Sequence, residues 1–204
     1  MSIDDKLVAA FSSLYRGRTD AWGSVKGLSN KKPVTEANYR AHLEAKVSLG
    51  VYMLLNSGEC HFAAIDLDEK EFGKMLAIKK ELASMGIHGY ISESRSKGFH
   101  ITVYAETKFI AKDIRQVLAA VIAKLRIKTN DGRALEIFPK QNILDRKTLK
   151  YGNYINLPCF GFERPYLDDN QKDMRLAVAL SLISTETSSP LICKMAYWMY
   201  AHVN

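Results

Sequence analysis

The stretch HFAAIDLDE places Asp66 and Asp68 two residues apart at the end of an apolar run. Side chains two apart on a strand share a face, so the two carboxylates would sit side by side and repel unless a cation lies between them. Further along, the segment SRSKGFH combines Ser94, Ser96, Lys97 and Gly98 with His100, a small, polar, cationic turn whose glycine lets backbone N–H groups approach an anion. Glu136, in LEIFPKQ, is a third carboxylate. Each has an ordinary reading by itself: Asp68 as a helix N-cap, Glu136 as a solvated strand residue, His100 as a half-buried histidine, the turn as a plain hairpin. Together they suggest a cation-neutralised carboxylate cluster beside a triphosphate-holding turn. Oxygen-only ligands suit Mg²⁺ or Mn²⁺ rather than zinc, and a pair of such ions is the usual device for in-line attack on a phosphate.

Whether these residues meet depends on the elements that carry them. The spacing predicts a strand over 60–66, a helix over 69–85 closed by Gly86, strands over 88–93 and 99–105, a helix over 108–126, and a strand over 134–138. That order, β-α-β-β-α-β, is the split βαβ pattern of ferredoxin-like and RRM-like folds, with strand order 4-1-3-2. The first strand then lies between the third and fourth, antiparallel to both, so its acidic end abuts their beginnings. Alternation agrees on a shared face: Asp66 and Asp68 oppose Ala63, Ile65 and Leu67 in parity, His100 opposes Ile101 and Val103, and Glu136 opposes Leu135 and Ile137. The apolar set suits a helix-covered face and the charged set an open one.

Around this core the sequence predicts a helix over 4–15, a second from Thr35 as N-cap to about Val47, and a strand over 51–55. After the basic segment come a helix over 170–183, the linker TETSSP, and a last helix with Pro190 near its first turn. The expectation is an α+β chain forming one catalytic domain: an N-terminal α/β portion (1–58), an RRM-like catalytic core (59–140), a basic segment (141–169) and C-terminal helices (170–204).

The 204 residues are 47% hydrophobic and 25% charged, an ordinary globular balance, and no apolar run is long enough to span a bilayer. Cys60, Cys159 and Cys193 form no CxxC pair, which argues against a zinc module or disulfide framework and for a reducing compartment. Acids occupy the N-terminal positions where an export signal carries bases, so a cytoplasmic chain is expected. The formal charge of +7 favours a polyanionic partner.

Taken together, the chain resembles the archaeo-eukaryotic primase superfamily, in particular primase-polymerases of phages, CRISPR-linked operons and bacterial conflict systems. AIDLDE resembles its acidic D-x-D/E strand end, SRSKGFH its S-G-x-K-G-x-H signature, and LEIFPKQ the strand bearing its third acid. FSSLYRGRTDAW resembles the F-x-G-R-x-D segment of the conflict-system members, and YGNYINLP their G-N-x-I-x-L-P segment with Asn153 and Asn156. The chain departs from the pattern in having Arg95-Ser96 for the usual glycines and Glu136 for the usual Asp, and it shows no zinc-binding insert.

The resemblance implies template-directed nucleotidyl transfer by a bacterial, phage or mobile-element enzyme, acting as a DNA primase or DNA polymerase. Asp66, Asp68 and Glu136 would hold two Mg²⁺ or Mn²⁺ ions. Ser94, Ser96, Lys97, Gly98 and His100 would bind the incoming NTP or dNTP, with Asn153 and Asn156 at its sugar or base. Arg16, Arg18, Lys140 and Arg146 would contact phosphates of nucleotide or of a single-stranded or primed DNA template. Partner domains or operon proteins such as a helicase are implied, and no membrane.

A non-enzymatic RRM-like module is the alternative, since KGFHITVY overlaps the RNP1 pattern. That reading needs Phe99 on the open face for stacking, which would turn His100 toward the helices. A cyclase shares the need for acids. A nicking initiator would want an H-x-H, and His42, His61, His88, His100 and His202 offer none.

Overall fold

The computed structural model describes residues 3–24, 29–96, 98–144 and 151–191. Helix α1 (Asp5–Leu14) starts where the Asp4 carboxylate accepts a hydrogen bond from Lys6 N–H, and it buries Val8 and Phe11. Strands β1 (Trp22–Gly23) and β2 (Ser29–Asn30) follow, then α2 (Glu36–Leu43), which opens on a capping box between Thr35 and Asn38. Helix α2 stops short of the expected Val47 because Ala45 turns into the left-handed region at φ 60°. Next come β3 (Gly50–Tyr52), β4 (Glu59–Leu67), α3 (Phe72–Ser84), β5 (Gly89–Glu93), β6 (Phe99–Ile110), α4 (Ala111–Leu125) and β7 (Glu136–Phe138). The chain continues through β8 (Tyr154–Asn156), β9 (Tyr166–Leu167), β10 (Asp173–Met174) and α5 (Leu176–Thr185).

The main sheet runs β10-β9-β5-β6-β4-β7, every neighbouring pair antiparallel. Its four central and right-hand strands have the expected 4-1-3-2 order, and two strands extend it beyond β5. A second sheet, β2-β1-β3-β8, joins the N-terminal portion to Tyr154–Asn156. One continuous buried cluster includes residues of both sheets and of α1 to α5. On the main sheet, Ala63, Ile65, Leu67, Ile101 and Val103 are buried on the parity that meets α3 and α4, whose stripes are Met75, Ile78 and Leu82 and Ile114, Val117, Leu118 and Val121.

The opposite face is open only at one end. Its other half is closed by α1, where the hydroxyls of Tyr15, Tyr104 and Tyr166 hydrogen-bond one another at 2.5 to 2.7 Å over Phe62. All three rings are buried, and burial first of all pushes their phenol pKa values up.

Three expectations are corrected here. Residues 166–174 form a β-hairpin rather than the start of a helix: the Asp168 carboxylate accepts from the N–H groups of Asn170 and Lys172, Gln171 takes φ 61°, and the helix begins at Leu176. The segment TETSSP is no simple linker. Ser188 is buried, bridges Ala105 in parallel and donates its N–H to Tyr104 O, filling the edge of β6 that β5 leaves open. Strand β6 is longer than expected, running on to Ile110 past a register shift opposite Cys60 and Phe62. The last helix, expected with Pro190 near its first turn, is described only at Pro190 and Leu191, both helical; the rest of that expectation falls outside the described residues.

Candidate active site

The register of the main sheet decides which residues meet. Asp66 on β4 lies directly opposite His100 on β6 and opposite Glu136 on β7, while His100 lies opposite Ser92 on β5, and Ser92 opposite Tyr166 on β9. Directly opposed residues of antiparallel strands share a face, so Tyr166, Ser92, His100, Asp66 and Glu136 form one row across five strands. Asp68 follows just past the strand end and is exposed. Ser92 is a member of the row that sequence reasoning missed. Its parity with Tyr90 against Ile91 is the signal that could have found it, and its hydroxyl is fully buried with no hydrogen-bond partner.

His100 is mostly buried, and its Nε2 lies 3.3 Å from Asp66 Oδ1, in an orientation that makes no hydrogen bond; that oxygen is buried with no hydrogen-bond partner. A shielded carboxylate oxygen left in this way is costly by itself and suits a cation. Glu136 is exposed and takes an ion pair from Lys140 Nζ at 2.8 Å, while Lys140 Nζ also lies 5.0 Å from the Phe138 ring centre. Asp68 accepts from Ser96 Oγ at 3.1 Å. The next acid, Glu69, is committed elsewhere, to Lys74 at 3.0 Å and to the backbone N–H of Asn130. Among the described residues no three His, Cys, Asp or Glu side chains are drawn together closely enough to hold a metal ion. The outer two carboxylates are engaged by Lys140 and Ser96 instead. The donor set still fits a hard cation: oxygen ligands only, one of them orphaned.

The signature turn lies against the acidic strand end. Ser94 N–H donates to Gly98 O at 2.9 Å, and Gly98 N–H donates back to Ser94 Oγ at 3.1 Å. Gly98 has no room for a side chain: a Cβ there would stand 1.7 Å from Leu67 O and 2.7 Å from Glu69 N. Glycine is required by close approach, since its φ is not positive. Lys97 and Arg146, both expected at phosphates, lie outside the described residues.

Phe99 settles the parity that distinguishes an RRM-like stacking surface from a catalytic one. It is 3% exposed, opposite in face to His100, and its ring meets Phe72 of α3 edge-on at 5.6 Å. Phe99 therefore offers no platform for a base.

Other expected residues are placed differently. Arg18 is buried, donates to both Asp20 oxygens at 2.9 and 2.6 Å and to Asn56 Oδ1 at 2.6 Å, and its guanidinium lies 5.2 Å from the Tyr151 ring centre. It ties the entry to β1 to the loop after β3 and is committed to protein rather than held out to phosphate. Arg16 is exposed, and its charge joins burial, the larger cause, in lowering the His61 pKa. Asn153 accepts from Gln141 Nε2 at 2.7 Å, which ties β8 to the loop after β7, and Asn156 Oδ1 is buried with no hydrogen-bond partner. Cys60 and Cys159 are buried free thiols, and burial raises Cys159 to about 12, so it is inert as a nucleophile. Among the described residues no helix is long and apolar enough to cross a membrane.

A 4-1-3-2 antiparallel sheet with a histidine–acid–acid row at the mouth of a glycine-pinned polar turn defines a domain of the archaeo-eukaryotic primase fold. The family model described as "TOTE conflict system, Archaeo-Eukaryotic Primase domain" matches residues 23–166, and the chain belongs to that family. Among solved structures, the chain is similar to the polymerase domain of Mycobacterium tuberculosis ligase D in complex with DNA. That likeness has 12% identity and a TM-score of 0.45 over 81% of this chain and 71% of that one. It is also similar to the AEP domain of the cyanophage S-2L primase-polymerase, with 10% identity and a TM-score of 0.42 over 90% of this chain and 100% of that one. No curated protein matches the chain in sequence.

Proposed function

We propose that this domain is a template-dependent nucleotidyltransferase, a DNA primase or DNA polymerase that joins an NTP or dNTP to a 3′-hydroxyl and releases pyrophosphate. The observation that carries the reading is the single register row in which Asp66 faces His100 on one side and Glu136 on the other. In the reaction the 3′-oxygen forms a bond to the α-phosphorus, the bond from α-phosphorus to the bridging oxygen of pyrophosphate breaks, and the hydroxyl proton passes to solvent.

Asp66, Asp68 and Glu136 are the residues that would hold Mg²⁺ or Mn²⁺, with Glu136 turning from Lys140 and Asp68 from Ser96 to do so. Divalent ions there supply a lowered pKa for the attacking hydroxyl and charge neutralisation for the departing pyrophosphate. The signature turn cradles the triphosphate: Ser94, Ser96 and Lys97 offer donors, and Gly98 holds the turn against the acidic strand end. His100, fixed between Ser92 and Asp66, presents an imidazole to the phosphates. Lys140, once released from Glu136, and exposed Arg16 are suited to phosphates of nucleotide or template, as is Arg146; Asn153 and Asn156 would reach the nucleotide's sugar or base.

The test is extension of a primed template, and priming on an unprimed one, with each nucleotide set and either metal, comparing wild type with Asp66→Ala/Asp68→Ala. Metal-dependent incorporation by wild type and its loss in the folded double variant are expected. Robust synthesis by the double variant would refute the assignment.

A further inference from the structure

Between β8 and β9 the chain makes a tight loop, Cys159 to Arg164, with an unusual investment in its shape. Cys159, Gly161 and Arg164 take φ of 61°, 59° and 59°, two of them non-glycine residues in a left-handed conformation that costs on the order of 1 kcal/mol or more each. Its neck is closed by Cys159 N–H donating to Arg164 O at 2.9 Å and Glu163 N–H donating to Phe160 O at 3.0 Å. Arg164 is buried beneath it, donating to Leu157 O and Ser48 Oγ, each at 3.1 Å, with its guanidinium 4.9 Å from the Phe160 ring centre. Gly161 sits so close to Ala45 that a Cβ there would lie 2.8 Å from the alanine Cβ. At the tip of this clamped loop Phe162 is 96% exposed.

A lone exposed phenylalanine is ordinary; one held out by a strained loop and a buried arginine is less so. Its location narrows the occupant. The loop runs into Pro165 and Tyr166, and there Glu93 N–H donates to Pro165 O at 3.0 Å and Tyr166 pairs with Ser92. Phe162 Cα therefore lies within about 11 Å of Pro165 Cα by chain length alone, beside the strand that leads into the signature turn. Exposed Arg95 of that turn is near enough for its charge to act on Arg164, whose pKa burial, the largest cause, pushes below the usual value, with Glu163 opposing that shift and Arg95 adding to it. Along the chain Phe162 is flanked by half-buried Gly161 and exposed Glu163. A flat exposed ring on a loop that pairs with the strand leading into a cationic turn has the composition of a stacking platform for unpaired bases.

We propose that Phe162 is a base-stacking side chain, on whose ring an unpaired base of single-stranded DNA lies as the strand passes the signature turn. This rests on the nucleotidyltransferase reading and adds a contact outside the acidic row. The experiment is fluorescence anisotropy of a short labelled oligo-dT, and of the same backbone lacking its bases, titrated with wild type, Phe162→Ala and Phe162→Tyr over a range of salt. Phe162→Ala is expected to bind oligo-dT about 5- to 150-fold more weakly. Phe162→Tyr should bind like wild type, and the salt dependence should be unchanged because no cation is removed. The base-free backbone should not distinguish the variants. Equal binding of oligo-dT by Phe162→Ala and wild type, or an equal loss on the base-free backbone, overturns the stacking role while leaving the catalytic reading intact. Failure of wild type to bind any oligonucleotide would overturn the catalytic reading and the stacking role together.

Discussion

Gly98→Ala isolates the contact that sets the signature turn against the acidic strand end. The new methyl would stand 1.7 Å from Leu67 O, 2.8 Å from Leu67 C and 2.7 Å from Glu69 N, all backbone atoms of the segment that carries Asp68. Neither neighbour can rotate away, so the turn and the strand end must part by at least about 1.3 Å to reach the 3.0 Å that real Cβ contacts respect. Forced separation of this kind costs about 1–3 kcal/mol. In a chain of this length that lowers the melting temperature by about 2–12 °C. The effect on synthesis should be larger than the effect on stability. Misplacing a positioning group by about 1 Å costs on the order of 100-fold in rate, and here the triphosphate's donors move relative to the acids. Thermal denaturation and single-nucleotide extension of a primed template read the two effects separately. Gly73→Ala is the control: nothing lies within 4 Å of a Cβ at that position in the first turn of α3, so stability should rise by a few tenths of a kcal/mol to about 1, with activity unchanged. Wild-type melting and wild-type extension by Gly98→Ala would refute the steric argument.

Three more outcomes follow from particular contacts. Divalent ion should stabilise the fold through the orphaned Asp66 oxygen: at ten times its dissociation constant, Mg²⁺ or Mn²⁺ should add about 1.4 kcal/mol, a shift absent from Asp66→Asn. His42 is buried with its Nε2 against Pro158 O and its Nδ1 accepting from Leu49 N–H, and burial, the largest cause, lowers its pKa to about 4. The folded state thus resists a proton that the unfolded chain takes near pH 6.5. The stability contribution is complete above that pH and falls by about 1.4 kcal/mol per unit as pH drops toward 4. Urea unfolding of wild type against His42→Gln should show that slope between pH 6.5 and 5 in wild type alone. Arg18→Lys cannot reproduce the fork to Asp20 and Asn56 and should lose about 1–3 kcal/mol in denaturant unfolding; an unchanged midpoint would return Arg18 to a surface role.

The alternation of Asp66, His100 and Glu136 against their apolar neighbours is legible in the amino-acid sequence, and so is the β-α-β-β-α-β order. Both depend on periods of two and 3.6 that each segment carries within itself. The same local logic places Thr35 at a helix start. Other features have no local period. That Asp66 pairs with His100 rather than Thr102 is a matter of register between strands distant in sequence. The two-residue strands around Asp168 are too short to show alternation, and α2 ends early at Ala45, whose backbone is held against Gly161 from across the fold. Charge alone could not separate Arg18, buried in a fork with Asp20, from Arg16, left in water. Nor could composition show that Arg164 lies beneath its loop while Phe162 stands above it. What a residue's neighbours along the chain impose is written in the sequence; what distant backbone imposes, by packing and pairing, appears only when the chain has closed on itself.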